Sequence, residues 1–453
     1  MPAHASSRAG GGVAAPGPDV TVSRIGLGSS GACGSNDFHY YGQNAGISAF
    51  SMASTSCNVG TQTAEWINGG RNPVIAQNIY RYNSGRFEHI GMSWLKHSFC
   101  AVSEPTCGTC QSTPCSSLGI GCADTYWATL NGDQSMLGPR WNKNPLGMGP
   151  SGVHNDIYQA PQGNAIIRGR LQIKHTDILP SSQYVAEIHY LTHDEPLVNR
   201  YNNASYRLVN VTTTAITAVA NCQSSVVMGK PGIQAWRAFD PQVNISEVND
   251  PEEGRFNVGY RVYDNGDGTW TYEYAVHNLN SRRGAGAVSV PVEDGVTVSN
   301  IGFHSPSYHS GDGINYVTFD GTFWPGTHAN DTIRWATTPF STNPNANALR
   351  WGSLYNYRFT ANTAPQMGSM EIELFLSGVG PASFNAPVLV PGPAPAPPCP
   401  ADLNDDNNVD VQDLLALLGA WGPCKSCAAD LNGSGAVDVQ DLLILLASWG
   451  PCN

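Results

Sequence analysis

The sequence predicts a mainly β chain that ends in a small, all-helical module. Three observations lead there. Strand-like segments rich in aromatic and β-branched residues recur through residues 19–385, and from about 232 they follow at roughly ten-residue spacing with turn residues between them. Twelve cysteines accompany them, an even count that suits a disulfide-containing protein of an oxidising compartment. Residues 399–453 are an internal duplication whose apolar residues fall at helical rather than strand spacing.

Composition bounds the partners. Only 13% of residues are charged, the net charge is −12, and no Lys/Arg cluster occurs, so neither nucleic acid nor an anionic membrane is an expected partner. No apolar run reaches the roughly 18 residues of a membrane span. Residues 1–18 read as a flexible Gly/Ala/Pro leader. They lack a secretory signal pattern, yet Ala3-His4-Ala5 has the small-x-small form of a cleavage site. We therefore expect the true start upstream, or a mature form with Met added.

Residues 19–230 read as a Cys-containing β-rich domain. DVTVSRI at 19–25 is a first strand, and GLGSSG at 26–31 is a Gly-rich turn, because no helix follows to make it a dinucleotide site. Residues 46–58 are strand-like, and 73–99 form a hairpin turning at Asn83-Ser84-Gly85. His89 and His97 on its second arm share a face but lie about 26 Å apart at ~3.3 Å per residue, too far to share a metal. Five cysteines between 100 and 122, with Cys33, Cys57 and Cys222, read as a disulfide-stapled loop. Cys107-x-x-Cys110 is the sole pair at zinc spacing there. Residues 123–165 look irregular, and strands resume with AIIRGRLQI, QYVAEIHYLTHDE, ASYRLVNVTT and SSVVMG.

Residues 231–385 read as a second β domain. RFNVGYRVYD, a DNGDG turn and TWTYEYAVHNL make an alternating hairpin. AVSVPV, VTVSNIGFH, NYVTFDG, TIRWAT, LRWGSLYNYRFTAN and GSMEIELFLSG continue it, which argues an immunoglobulin-like β-sandwich. Residues 386–398, APVLVPGPAPAPP, read as a Pro/Ala linker spanning up to ~40 Å at about 3.1 Å per residue.

No nucleophile elbow, zincin or P-loop pattern occurs in the body. The densest titratable clusters are His189-x-x-x-His193-Asp194-Glu195, the loop with His304, His309 and Asp312, and His154-Asn155-Asp156. Asp264 and Asp267 are read as turn residues. A glycosidase needs two carboxylates about 5–10 Å apart, and Glu187, Glu195 and Asp240 are candidates that the sequence does not pair. A row of strand aromatics stacking on sugar rings is a further candidate surface.

The C-terminal duplication carries the strongest chemistry. Cys399, Asp402, Asp410, Trp421 and Cys424 recur 28 residues later as Cys427, Asp430, Asp438, Trp449 and Cys452. Counting from Asp402, oxygen-bearing residues stand at positions 1, 3, 5, 7, 9 and 12: Asp402, Asn404, Asp406, Asn408, Asp410 and Asp413. The second copy has Asp430, Asn432, Ser434, Ala436, Asp438 and Asp441. That is the spacing of a 12-residue calcium loop, the seventh position ligating through its carbonyl. Asn407 and Gly435 stand at the turn position, where a left-handed backbone is needed. Two Ca2+ ions are expected, the first held more tightly because its loop has four carboxylates against three. Behind each loop Leu414, Leu415, Leu417, Leu418 and Trp421, repeated as Leu442, Leu443, Leu445, Leu446 and Trp449, predict an apolar helix face ended by Gly-Pro.

This loop-then-helix duplication, with its flanking cysteines and WGPC ends, resembles a GC-type dockerin module of the kind found at the C-termini of secreted planctomycete proteins. The resemblance covers residues 399–453 and implies a pseudo-twofold pair of antiparallel helices. That arrangement favours Cys399–Cys452 with Cys424–Cys427 over pairing within each repeat, Cys399–Cys424 with Cys427–Cys452. It also implies a cohesin-like or cell-surface anchoring partner met through Val411-Gln412 and Val439-Gln440. The expectation is a secreted, cell-surface or extracellular-assembly protein whose body binds or builds, with polysaccharide as the ligand class. The alternatives are a secreted polysaccharide-degrading glycoside hydrolase and a self-assembling fibre or coat subunit, with residues 1–25 as donor strand.

Overall fold

A computed structural model describes residues 15–26, 37–67, 71–146, 162–219, 226–250, 254–393, 399–404, 406–424 and 427–452. Strand makes up 43% and helix 12% of it, which bears out a mainly β chain. The chain forms two compact units, Met1–Glu293 with Thr297–Gly392, and Asp294–Val296 with Pro393–Asn453.

The larger unit begins with two antiparallel sheets. In the smaller, Ser54–Asn58 is flanked by Val20–Ile25 and Ala123–Tyr126. The larger has ten strands, centred on Gln183–Leu191, Val74–Asn83 and Arg86–Met92. The hairpin joining the last two turns where the sequence put it. Ser84 and Gly85 both have positive φ, 49° and 84°, as a turn matching strand twist requires. Val20, Val22, Ile25, Ile188 and Tyr190 share one core between these sheets. Val20–Ile25, the candidate donor strand, is thus paired within its own chain.

Several local readings change. The arm carrying His89 and His97 is not one strand: it breaks after Met92 and resumes at Leu95–His97. Residues 123–146 are built rather than irregular, with a strand at Ala123–Tyr126, a helical turn at Ala128–Asn131 and a 3-10 turn at Arg140–Asn142. Polar bonds hold them: Asn131 Nδ2 donates to the Met52 carbonyl at 2.9 Å, and Arg140 Nη1 to that of Gly352, also at 2.9 Å. Residues 165–169 are turns, and only Leu171–Lys174 is strand. NYVTFDG forms no strand.

Two further five-stranded sheets follow. One is ordered Asn244–Asp250, Gly254–Asp264, Trp270–Asn278, Ser353–Ala361, Val298–His304; the other Gly326–Ala329, Thr332–Ala336, Ala285–Pro291, Pro365–Leu374, Ser383–Pro391. Trp335 of the second meets Tyr357 of the first at 5.4 Å between ring centroids. The segment read as a linker from 386 opens inside the last of these strands. Ala386, Val388 and Val390 alternate inward and are buried, and an edge strand tolerates the missing N–H of Pro387 and Pro391. The 230/231 boundary falls within one unit, since Tyr80, Phe87 and Val185 share a core with Ile233, Trp236, Ala275 and Leu354. Trp236 packs on Gly259, where a Cβ would come within 2.9 Å of the indole.

Buried imidazoles make this unit acid-sensitive. His189 is 1% exposed, neither ring nitrogen has a hydrogen-bond partner among the described residues, and its ring abuts Trp351. Burial lowers its pKa to about 4, against about 6.5 in an unfolded chain. The unfolded state therefore takes up the proton first, and stability falls as pH drops from about 6.5 towards 4. The window is worth about 3 kcal/mol. His189→Phe keeps the ring and removes the proton site. Urea unfolding at pH 7 and pH 4 is expected to show the variant gaining about 3 kcal/mol on wild type at the lower pH, and a pH-independent difference would contradict this.

The smaller unit is built on its repeat. Its buried residues come in pairs 28 apart: Ala401 and Ala429, Val409 and Val437, Leu417 and Leu445. The helices are Val411–Gly419 and Val439–Ala447. Gly-Pro does more than stop them: Gly422 pairs with Val437 and Pro423 with Ala436, while Val409 pairs with Gly450 and Asn408 with Pro451. Each repeat's exit thus zips onto the other repeat's loop. Trp421 and Trp449 lie past the helix ends, 49% exposed, and not on the buried face.

Candidate functional site: two acidic loops

Each loop is organised by its first and last carboxylates. Asp402 Oδ1 accepts from the N–H of Asp406 at 3.2 Å and its Oδ2 from that of Asn407 at 2.8 Å. Asn404 Oδ1 accepts from the Asp406 N–H, and Asn404 Nδ2 donates to Asp406 Oδ2 at 2.8 Å. Asn407 takes φ 67° and Gly435 φ 90°, the left-handed turn expected of both. Asp413 Oδ1 accepts from Leu403 N at 2.7 Å and Asn404 N at 3.2 Å, and its Oδ2 from Asp410 N at 2.8 Å. Burial disfavours its charge, but the N–H groups of Asp410, Leu403 and Asn404 outweigh that and hold it below the usual carboxylate range. A carboxylate offers about four acceptor positions, so Asp413 keeps capacity for a cation.

One ligand oxygen each from Asp402, Asp406 and Asp413 lies within 4.8 Å of the others. At Ca–O distances of about 2.3–2.6 Å, two oxygens on one ion are at most about 5 Å apart, so these three can share a calcium. Asp410 is engaged as the N-cap of the first helix, accepting from Gln412 N at 2.7 Å. The oxygen-only donor set fits a hard cation.

The second loop repeats the frame with less charge. Asp430 accepts from Ser434 N and Gly435 N, and Asp441 from Asn432 N and Asp438 N. The N–H of Asp438 leads the contacts that hold Asp441 below the usual carboxylate range. Asn432 Oδ1 accepts from Ser434 N, as Asn404 does in its loop. Ser434 Oγ turns back to the Ala436 carbonyl at 3.0 Å, and Asp438 caps its helix. No third acid joins Asp430 and Asp441 among the described residues.

The cysteines brace both loops. Cys399–Cys452 and Cys424–Cys427 are the pairs formed, with Cα separations of 5.8 and 5.9 Å. Asn407 O and Gly435 O, at the two turns, accept from Cys452 N and Cys424 N. In the body, Cys57–Cys107 and Cys110–Cys122 are disulfides. Cys107 and Cys110 are therefore not a zinc pair. Cys100 and Cys115 are exposed thiols outside these disulfides, and Cys33 and Cys222 lie outside the described residues.

The body's titratable clusters are mostly structural. His193 sits 3.3 Å from Glu65, and Asp194 accepts from Glu65 N. Glu195 accepts from Val20 N, Thr192 Oγ1 and Asn203 Nδ2. Glu187 and Asp240 are committed elsewhere, Asp240 to Arg261 at 2.9 Å. Asp312 accepts from His309 N and Trp94 Nε1. Asp264 and Asp267 accept from Gly266 N and Thr269 N inside the hairpin turn. His154, Asn155 and Asp156 lie outside the described residues. The strand aromatics Tyr272, Tyr274, Tyr355, Tyr357 and Phe359 are core, so they make no sugar platform.

No protein-family model and no curated protein sequence matches the chain. Among solved structures, similarity is found to the exo-chitosanase CsxA of Amycolatopsis orientalis, alone and in complex with PNP-beta-D-glucosamine. Each shows 10% identity over 79% of this chain, at a TM-score of 0.14. The chain spans 26% of the length of those structures.

Proposed function

We propose that the chain is an extracellular protein held in a surface or multi-protein assembly by a calcium-dependent, dockerin-like C-terminal module, its body being the binding or structural cargo. The observation that carries this reading is the convergence of Asp402, Asp406 and Asp413 in a loop that recurs 28 residues on. The disulfides suit an oxidising compartment. The two five-stranded sheets are read as an immunoglobulin-like sandwich, capable of presenting loops at its ends.

The module also offers something to hold. Val411, Leu415, Leu418 and Trp421 are 46–63% exposed, as are Val439, Leu443, Leu446 and Trp449 at 46–60%. An apolar surface of that extent in so small a unit marks an interaction face. Because the two faces repeat in sequence, a cohesin-like partner would meet nearly the same surface in two orientations. Loss of calcium would unmake both faces together by unfolding the loops that orient the helices.

The test is retention of the chain on envelopes of the cells that make it. Retention with calcium, release by EDTA and failure of a chain ending at Gly392 to be retained are the expected results. Binding that ignores both the chelator and the truncation would overturn the reading.

A further inference from the structure

We propose that the body carries a saccharide-binding cleft, separate from the calcium loops, between strand Leu171–Lys174 with its following turn and the loop running from His304 to Phe323. A cavity of about 480 Å3 opens there, within the range of about 300–1,000 Å3 typical of small-molecule sites. All its lining residues belong to the larger unit.

The lining is what a hydroxylated ring needs. Ile47, Ile90 and Pro306 supply apolar wall. Gln172, Ser305, Ser307 and Thr318 bring both donors and acceptors without charge. Lys174 and Asp177 cancel, so the cleft favours no net charge on its occupant. Phe323, at the rim, is 57% exposed and held edge-on by Phe303 at 5.6 Å. Most aromatics of this unit are buried, so a braced, open ring beside a cavity offers an apolar face for sugar C–H groups. Phe319, also lining, is fixed beneath Arg350 at 3.6 Å.

Two polar groups are poised at the inner wall. His304 Nδ1 is shielded from solvent and has no hydrogen-bond partner in the described structure, although the imidazole lines the cavity. Buried polar atoms are rarely left so, and a turn of the imidazole towards the cavity would bring it to a ligand hydroxyl. Asp177 is held by Arg81, whose Nη1 donates to the Asp177 carbonyl at 2.7 Å and lies 3.9 Å from its carboxylate. The same guanidinium pairs with Glu88, which is not among the lining residues. Asp177 is the one carboxylate among the lining residues. Glycoside hydrolysis takes two about 5–10 Å apart, so the cleft binds without cleaving.

The test titrates full-length protein, with calcium and with EDTA, with soluble oligosaccharides of glucose, xylose, mannose, N-acetylglucosamine and uronic acid. At least one neutral oligosaccharide is expected to bind equally in both conditions without release of reducing ends. Phe323→Ala and His304→Ala are each expected to weaken it about tenfold, with Trp421→Ala as a control that leaves it unchanged. Phe323 is exposed, so its variant should retain the wild-type melting temperature and keep the test sound if His304→Ala misfolds. No binding across the panel, binding untouched by Phe323→Ala, or cleavage of the ligand would each overturn the inference. Binding that vanishes in EDTA would move the site to the C-terminal module, and leaves the anchoring proposal to its own test.

Discussion

Chelating calcium from the full-length protein is expected to melt both module helices, Val411–Gly419 and Val439–Ala447, while the strands of the body stay intact. Nine-residue helices fall below the ~12–15 residues at which isolated helices become even marginal in water. Among the described residues the fully buried apolar core behind them is six side chains, three per repeat, with nine partly buried ones packed against it, too little to hold a module of this size by itself. Without a cation, Asp402, Asp406 and Asp413 keep ligand oxygens within 4.8 Å of one another, and their mutual repulsion works against the loop. On the proposed reading, metal binding therefore supplies folding free energy to the module. The disulfides keep the chain ends together in the apo state, so calcium should restore the helices reversibly.

Calorimetry should resolve two unequal sites. The first loop gathers three carboxylates, whereas the second has Ser434 in place of Asp406, its hydroxyl already bonded to Ala436. Asp406→Ser gives the first loop the second loop's ligand and should weaken the tighter site about tenfold, close to the value of its neighbour. Far-UV dichroism that is unchanged by EDTA, or two equal affinities in wild type, would sink this account.

Glu187→Ala is expected to cost the body about 3–5 kcal/mol, the largest loss we foresee for a point change outside the module. Glu187 is fully buried. Its Oε1 accepts from Asn78 Nδ2 at 2.7 Å and Tyr80 OH at 3.0 Å, and its Oε2 from Gly232 N at 2.6 Å. It thereby ties strands Gln183–Leu191 and Val74–Asn83 to the segment that leads into helix Gln234–Phe239. Truncation leaves three donors in a dry interior, each costing about 1–3 kcal/mol less what relaxation recovers. Arg140, which donates to Asn78 Oδ1 at 2.8 Å, loses its place in the same network. Glu187→Gln keeps one acceptor but turns an NH2 group towards a donor, so it should fall between wild type and Ala. Urea midpoints with an unchanged m-value measure this, and a midpoint equal to wild type would show the network to be dispensable.

Where sequence and structure agree, the signal was local. The 83–85 turn needs only two residues able to hold positive φ between alternating arms. The loop positions need only a fixed spacing between Asp402 and Asp413. Where they part, a distant partner decided. SSVVMG reads as a strand, yet among its described residues, 226–229, only Val227 bridges, to Tyr206. Residues 386–391 have the composition of a linker, yet pair with Pro365–Leu374 because that strand leaves an edge free. Helix Gln234–Phe239 carried no capping signal, and it is held by packing on Tyr80, Phe87 and Gly259.

The cleft marks the same limit. His304 stood out in the sequence as part of a titratable loop, but nothing there joined it to Gln172, Asp177 or Ile47. Those residues meet because strands Ile47–Met52, Leu171–Lys174 and Arg86–Met92 are neighbours in one sheet. By itself, then, the sequence determined the β class, the duplication of the C-terminal unit, the spacing of its acidic loop residues and the residues of its tight turns. Each of these depends on interactions reaching a few residues along the chain. The tertiary structure alone decided which distant strands pair, how the cysteines of the body join and which side chains line the cavity, because those contacts join separate elements of the chain and form only when the sheets close.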